Sequence, residues 1–112
     1  ERGQSARSEY RVLEQYGDEA ALAQVRIYTG RTHQIRVHMA AIGHPVLSDR
    51  LYGHASPYIH RQALHAWRLG VTLASNGAWR EFVAPVPDDL REAIHALRAR
   101  YGVAPSEIGP LA

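Results

Sequence analysis

Six of the seven histidines and seven of the thirteen basic residues fall between Ala20 and Arg80, where the only acid is Asp49. Seven arginines (Arg26, Arg31, Arg36, Arg50, Arg61, Arg68, Arg80) against that one aspartate leave the window at +6, although the whole chain carries +2. Every basic residue is arginine, whose planar fork binds phosphate in two-pronged fashion and stacks on bases. The window therefore reads as a surface for RNA. A general preference for arginine over lysine would account for the residue type but not for the clustering. Histidines suggest metal chemistry as the rival. His33 and His38 are five apart, so they do not share a helix face as an i, i+4 ligand pair does, and no His-Glu-x-x-His pattern or carboxylate cluster accompanies them. No metal is expected. The chain has no cysteine, which excludes a disulfide scaffold, a thiolate zinc site and a cysteine nucleophile.

Four local patterns must position these side chains. Residues 8–15 and 20–28 read as two strands joined across Tyr16-Gly17-Asp18-Glu19, with Ala21, Ala23, Val25 and Ile27 on one side. From His33 to Ile42 the helical spacing of Ile35, Met39 and Ile42 predicts a short helix, with Thr32 as its N-cap and Gly43 just past its end. Residues 44–60 lack a period and read as a loop, of a length that is often functional. Arg61 to Leu73 alternates, Asn76-Gly77 supplies a tight turn, and Trp79 to Ala84 returns as the partner strand. Asp88 can cap a last helix whose face carries Leu90, Ile94, Leu97 and Tyr101 and which stops at Gly102, leaving 103–112 as a frayed tail. Arg31 and His33 then sit at a strand-to-helix junction, where positive charge and free N–H groups favour an anion; His33 fits a capping or packing role equally well.

The run Thr29-Gly30-Arg31-Thr32-His33-Gln34-Ile35-Arg36-Val37-His38 is followed by His44-Pro45-Val46-Leu47 and by Asp49-Arg50-Leu51-Tyr52-Gly53. Further on come Arg61-Gln62-Ala63-Leu64-His65-Ala66 and Ala84-Pro85-Val86-Pro87-Asp88-Asp89-Leu90. In order and spacing these blocks closely resemble the RluA-type RNA pseudouridine synthases, over about residues 8–101. The resemblance implies an enzyme that isomerises uridine to pseudouridine within ribosomal or transfer RNA, without cofactor or metal. In that family the nucleophile is an aspartate in a His-Arg-Leu-Asp block upstream of the Thr-Gly-Arg-Thr-His block, followed by a base-stacking tyrosine. No Arg-Leu-Asp occurs here. The expectation is that residues 1–112 are a single partial domain, the C-terminal portion of the catalytic domain, inactive alone.

By the same resemblance Arg36 matches the arginine that pairs with the catalytic aspartate. A guanidinium beside a carboxylate keeps it ionised and aimed. Arg31 and His33 are candidates for a phosphate of the flipped nucleotide. Thr32 and Gln34 offer neutral hydrogen bonds suited to a uracil edge or the ribose, although Thr32 also serves as a cap. Leu64 matches a family position near the target base, where an apolar side chain covers a flipped uracil; alternation alone would make it core. Arg61 and Arg68 could follow the RNA backbone. Asp49 belongs, in the family, to a structural turn that Tyr52-Gly53 closes, with Tyr52 packing beneath the helix, and Ser48 stands where glycine is common.

The expected architecture is α+β, an antiparallel sheet with two packed helices. One domain is all that 112 residues allow, and 46% apolar with 21% charged residues is globular composition. No apolar run approaches the roughly 18 residues that span a bilayer, so a soluble cytoplasmic protein is expected, with RNA as its partner. The alternative function is a non-catalytic RNA-binding remnant of such an enzyme; a metal-dependent hydrolase is set aside for want of ligands.

Overall fold

A computed structural model of the chain describes residues 7–29, 32–66, 68–72 and 79–107, the side chains of 68–72 and 79–82 excepted. Strands β1 (Ser8–Tyr16) and β2 (Ala20–Ile27) form the first hairpin, in register from Ser8 opposite Ile27 to Tyr16 opposite Ala20. Its turn needs Gly17. The backbone there is left-handed (φ 54°), and a Cβ would stand 2.6 Å from the Tyr101 ring.

The ladder slips by one residue between Val12 and Glu14, where β1 gains Leu13 as a bulge. Because side chains alternate with period two, one extra residue moves everything after it to the other face. Tyr10 and Val12 lie opposite Val25 and Ala23, whereas Glu14 and Tyr16 lie opposite Leu22 and Ala20. Tyr16 and Glu14 are buried by this switch, while Tyr10, Val12 and Ile27 stay about half exposed. The side carrying Ala21, Ala23, Val25 and Ile27 is therefore not the covered one in this chain.

Helix α1 (Gln34–Ala41) follows. Its N-cap is His33, not Thr32, and His33 is left-handed (φ 51°) with no side-chain cap bond. The left-handed backbone of His33 leads directly into the helix. Gly43, at φ 84°, ends the helix as expected.

Strands β3 (Arg68–Thr72) and β4 (Trp79–Val83) make a second antiparallel hairpin, Arg68 opposite Val83 and Thr72 opposite Trp79. The alternation predicted a strand from Arg61 onward. Instead 61–66 is irregular: the Leu64 amide turns back to the Gln62 carbonyl (2.9 Å), and the Ala63 amide donates to the Leu47 carbonyl (2.8 Å). Trp67 and the Asn76-Gly77 turn lie outside the described residues. The two hairpins are separate two-stranded sheets where one sheet was expected; the α+β class stands.

Helix α2 (Asp88–Tyr101) begins after Pro87, which occupies the cap position in extended conformation, so Asp88 is the first helical residue and not the cap. Asp88 and Asp89 in its first turn and Arg98 and Arg100 in its last suit the helix dipole. It stops at left-handed Gly102 (φ 63°). Ala93, Ile94 and Leu97 are buried with Tyr16, Ile59 and Val86, which together form the core. Within that core α2 is fastened to β1 by charge. Arg98 donates to both oxygens of Glu14 (2.8 and 2.7 Å), the Tyr16 hydroxyl donates to Glu14 (2.6 Å), and the Ser106 amide adds a fourth bond (2.7 Å). Part of the 103–112 tail is thus docked. The arginine fork holds the Glu14 carboxyl at about 2, well below its ordinary value.

Candidate active site

The turn between α1 and the second hairpin is built around Asp49, which is fully buried. Its amide donates to the Val46 carbonyl (3.0 Å), and the Gly53 amide closes onto its own carbonyl (2.7 Å). Carboxylate oxygen Oδ1 accepts the amides of Leu51 (3.1 Å) and Tyr52 (3.3 Å). Gly53 has to be glycine, because a Cβ would lie 2.8 Å from Pro45 Cβ and 3.1 Å from the Asp49 carbonyl. Ser48, just before Asp49, is left-handed at φ 62°, a conformation that favours glycine. The serine is held there by its own hydroxyl, which donates to the Ile59 carbonyl (2.7 Å) and accepts the Ser56 amide (3.3 Å).

Arg36, on α1, meets this turn with two parallel bonds: Nε to Asp49 Oδ2 (2.9 Å) and Nη2 to Oδ1 (2.8 Å). The Arg36 guanidinium, helped by the two backbone amides, holds the Asp49 carboxyl at about 2, and Asp49 in turn raises the Arg36 value. The Tyr52 ring lies against the guanidinium, 5.3 Å from its centre to Cζ, and meets the His33 ring edge-on at 6.0 Å. Tyr52, at 37% exposure, lies beside Arg36 and His33 at the surface, rather than as packing beneath the helix.

Gln34, in the same first turn of the helix as Arg36, reaches the first hairpin instead. Its Nε2 donates to the Arg7 carbonyl (2.9 Å) and the Ser8 hydroxyl (3.0 Å), and its Oε1 accepts from the Thr29 hydroxyl (2.7 Å). One turn on, His38 Nδ1 shares a 2.9 Å bond with the same Ser8 hydroxyl. A buried amide with its polar atoms engaged in this way clamps α1 onto the open end of the first hairpin.

Between these elements lies an open cleft of about 380 Å³, lined by Ile27, His33, Gln34, Ile35, Arg36, Gln62 and Leu64. Four residues named from the sequence, His33, Gln34, Arg36 and Leu64, meet there. Thr32 is exposed beside them without lining the cleft, and Arg31 lies outside the described residues. Arg61 points elsewhere. It pairs with Asp89 on α2 (2.8 and 2.9 Å), and its Nη1 spans the carbonyls of Gln62 (3.2 Å) and Leu64 (3.3 Å). That brace shapes the 62–64 turn which brings Gln62 and Leu64 to the cleft. Ile27, Ile35, Gln62 and Tyr52 were not singled out for the site; Ile27 and Ile35 look like ordinary core positions in sequence, and only the turn at 62–64 exposes Gln62's place.

Chemically the cleft combines three apolar walls (Ile27, Ile35, Leu64) with the Gln62 amide and the cationic Arg36, the Gln34 amide beside them being already engaged. Arg36 has five N–H donors, and two are used. Among the described residues the other three have no partner. Asp49 does not line the cleft, and its oxygens are all engaged, so it is not placed to attack anything there. Among the described residues no group of three or more His, Cys, Asp or Glu is arranged to hold a metal, and no helix is long and apolar enough to cross a membrane.

Residues 1–41 match the protein family described as RNA pseudouridylate synthase. An uncharacterized RNA pseudouridine synthase of Chloroflexus aurantiacus is 44% identical over 100 residues, covering 88% of this chain and 31% of that protein. Ribosomal large subunit pseudouridine synthases D of Nitrosomonas europaea and Haemophilus influenzae are each 42% identical, over 86% and 88% of this chain and 30% and 35% of those proteins. The chain spans about a third of the length of these curated relatives. Over most of its length the chain is thus similar to RNA pseudouridine synthases, and the cleft is lined by residues from the matching stretches.

Proposed function

We propose that this chain is the C-terminal part of the catalytic domain of an enzyme that converts uridine to pseudouridine in RNA, with its nucleophilic aspartate supplied by a segment upstream. The observation that carries the reading is the half-used guanidinium of Arg36 at the edge of a cleft with apolar walls. A second carboxylate placed on that free edge would be kept ionised by the adjacent charge and aimed by paired hydrogen bonds. The uridine is flipped out of its stack, at a cost of a few kcal/mol, into a site that covers its face and binds its edge. Leu64 and Ile35 offer the cover; Gln62 offers an amide. The aspartate assists breakage of the bond between N1 and C1′, the uracil rotates, C5 joins C1′, the C5 proton leaves to solvent, and N1, freed of the sugar, takes up a proton from solvent. Nothing is oxidised or reduced, so the reaction asks for no redox cofactor.

Ribosomal RNA is the substrate class put first, because the Nitrosomonas and Haemophilus relatives are named for the large ribosomal subunit; transfer RNA is second. The arginine-rich window supplies the backbone attraction, and the setting is the cytoplasm. The test is release of the C5 hydrogen from RNA labelled at uridine C5. The protein extended upstream through an Arg-Leu-Asp block is expected to release it, and the 112-residue chain alone is not. Turnover by the chain alone would show that it holds its own nucleophile. RNA binding without turnover by the extended protein would leave the binding-remnant reading in its place.

A further inference from the structure

Arg36 is held on two sides before any substrate or second carboxylate arrives. One edge is locked by Asp49, whose side chain has no exposure and whose Oδ1 is itself fixed by the Leu51 and Tyr52 amides. One face is covered by the Tyr52 ring. The remaining N–H donors of the guanidinium have no hydrogen-bond partner among the described residues, and Arg36 lines the cleft. A long arginine side chain ordinarily loses considerable rotamer freedom when it must adopt one orientation. Here that loss is already incurred in the folded chain.

From this arrangement we infer that Asp49 and Tyr52 are positioning residues for the reaction. They fix the Arg36 guanidinium so that its free edge meets the attacking carboxylate in one geometry. The inference rests on the proposed function. It gives Asp49, a turn residue by sequence, a second task that a backbone amide or a neutral side chain would not perform. The bidentate fit requires two anionic oxygens in one plane, which asparagine lacks. The ring contact requires an aromatic face, which phenylalanine retains and leucine lacks.

The experiment uses the upstream-extended protein and measures kcat and KM for RNA together with thermal melting. Tyr52 is partly exposed, so its variants should fold. Tyr52→Leu is expected to lower kcat about tenfold with KM changed less than threefold, and Tyr52→Phe to restore most of it. Asp49→Asn is expected to lower kcat at least tenfold, again with little change in KM, at temperatures where melting shows it folded. A purely structural role would move the melting curve and leave the kcat of the folded protein alone. If Arg36→Ala abolishes turnover while Tyr52→Leu and folded Asp49→Asn keep it, the positioning role is wrong and the functional reading survives. If the unaltered extended protein releases no C5 hydrogen, the functional reading falls and the positioning role with it.

Discussion

Among the described residues two buried pairings join an arginine to a carboxylate, and they differ in their surroundings. Glu14 and Arg98 close on each other 84 residues apart in sequence, with a tyrosine hydroxyl and a backbone amide using the remaining acceptor positions. Arg36 and Asp49 are 13 apart and share the same two-pronged geometry, yet the cation keeps an open edge on a cleft. The first pair, its carboxylate also engaged by a hydroxyl and an amide, holds β1 to α2. A half-open pair is an oriented charge ready for another partner. The two pairs share one chemistry, so on the proposed function it is their surroundings, not residue type, that separate a fastener from a site.

The largest expected effect is on the sealed pair. Removing one partner from a buried ion pair typically costs about 3–5 kcal/mol, so Arg98→Ala or Glu14→Ala should remove much of the stability of so small a domain. Replacing both together, Glu14→Leu with Arg98→Met, should recover part of the loss, because no charge is then left buried alone, while the Tyr16 hydroxyl and the Ser106 amide lose their acceptor. Urea denaturation of the singles and the double measures this. A double variant as unstable as the singles would mean that the pair does more than satisfy itself.

Acid should loosen both pairs. The carboxyls of Glu14 and Asp49 titrate at about 2 when folded and near their ordinary values when unfolded. For groups lowered in this way the contribution is complete above the unfolded value and is lost as pH falls towards the folded one. Stability should therefore decline from about pH 5 down to about pH 2. Glu14→Gln, though weaker at neutral pH, should show a shallower decline, and denaturation curves at several pH values would reveal an unchanged slope if Glu14 is not responsible.

A smaller effect distinguishes the two jobs of Ser48. Ser48→Ala keeps the left-handed strain and removes two hydrogen bonds, one to a buried carbonyl, for a loss of about 2 kcal/mol. Ser48→Gly loses the same bonds but relieves strain of about 1 kcal/mol, so it should be the milder change. Equal losses would show that the strain is negligible. Smallest of all is Asp89→Ala, read by the same urea denaturation, which leaves the Arg61 brace on the 62–64 turn in place. The pair it removes is exposed, with side chains 41% and 49% accessible, and such pairs contribute under about 1 kcal/mol.

Much of this was legible in the chain, where the pattern is local. The helical spacing of Ile94 and Leu97, and the glycines at 43 and 102, follow from rules within one or two turns. The ten-residue run through Arg36 put His33, Gln34 and Arg36 at one helix start, and the structure adds Leu64 across the cleft. What escaped depends on distance or on a single inserted residue. Nothing near Glu14 in sequence reveals Arg98, and an acid in an alternating strand reads as solvent-facing until the Leu13 bulge turns it inward. Thr32 is the better capping residue by type, but the cap position falls on left-handed His33, so the helix begins one residue late. The strand predicted from Arg61 fails because the Ala63 amide bonds to Leu47 and Arg61 braces the 62–64 turn, and neither tertiary contact has a local signature.

The difference between the two pairs comes down to what Arg36 does with its free edge. Arg36→Lys preserves the charge but not the planar fork, so it separates orientation from simple attraction. In the upstream-extended protein it is expected to lower the kcat for C5 hydrogen release at least a hundredfold while RNA affinity changes less than threefold. Undiminished turnover, or equal losses in affinity and turnover, would contradict the assignment and make Arg36 an RNA contact or another fastener like Arg98.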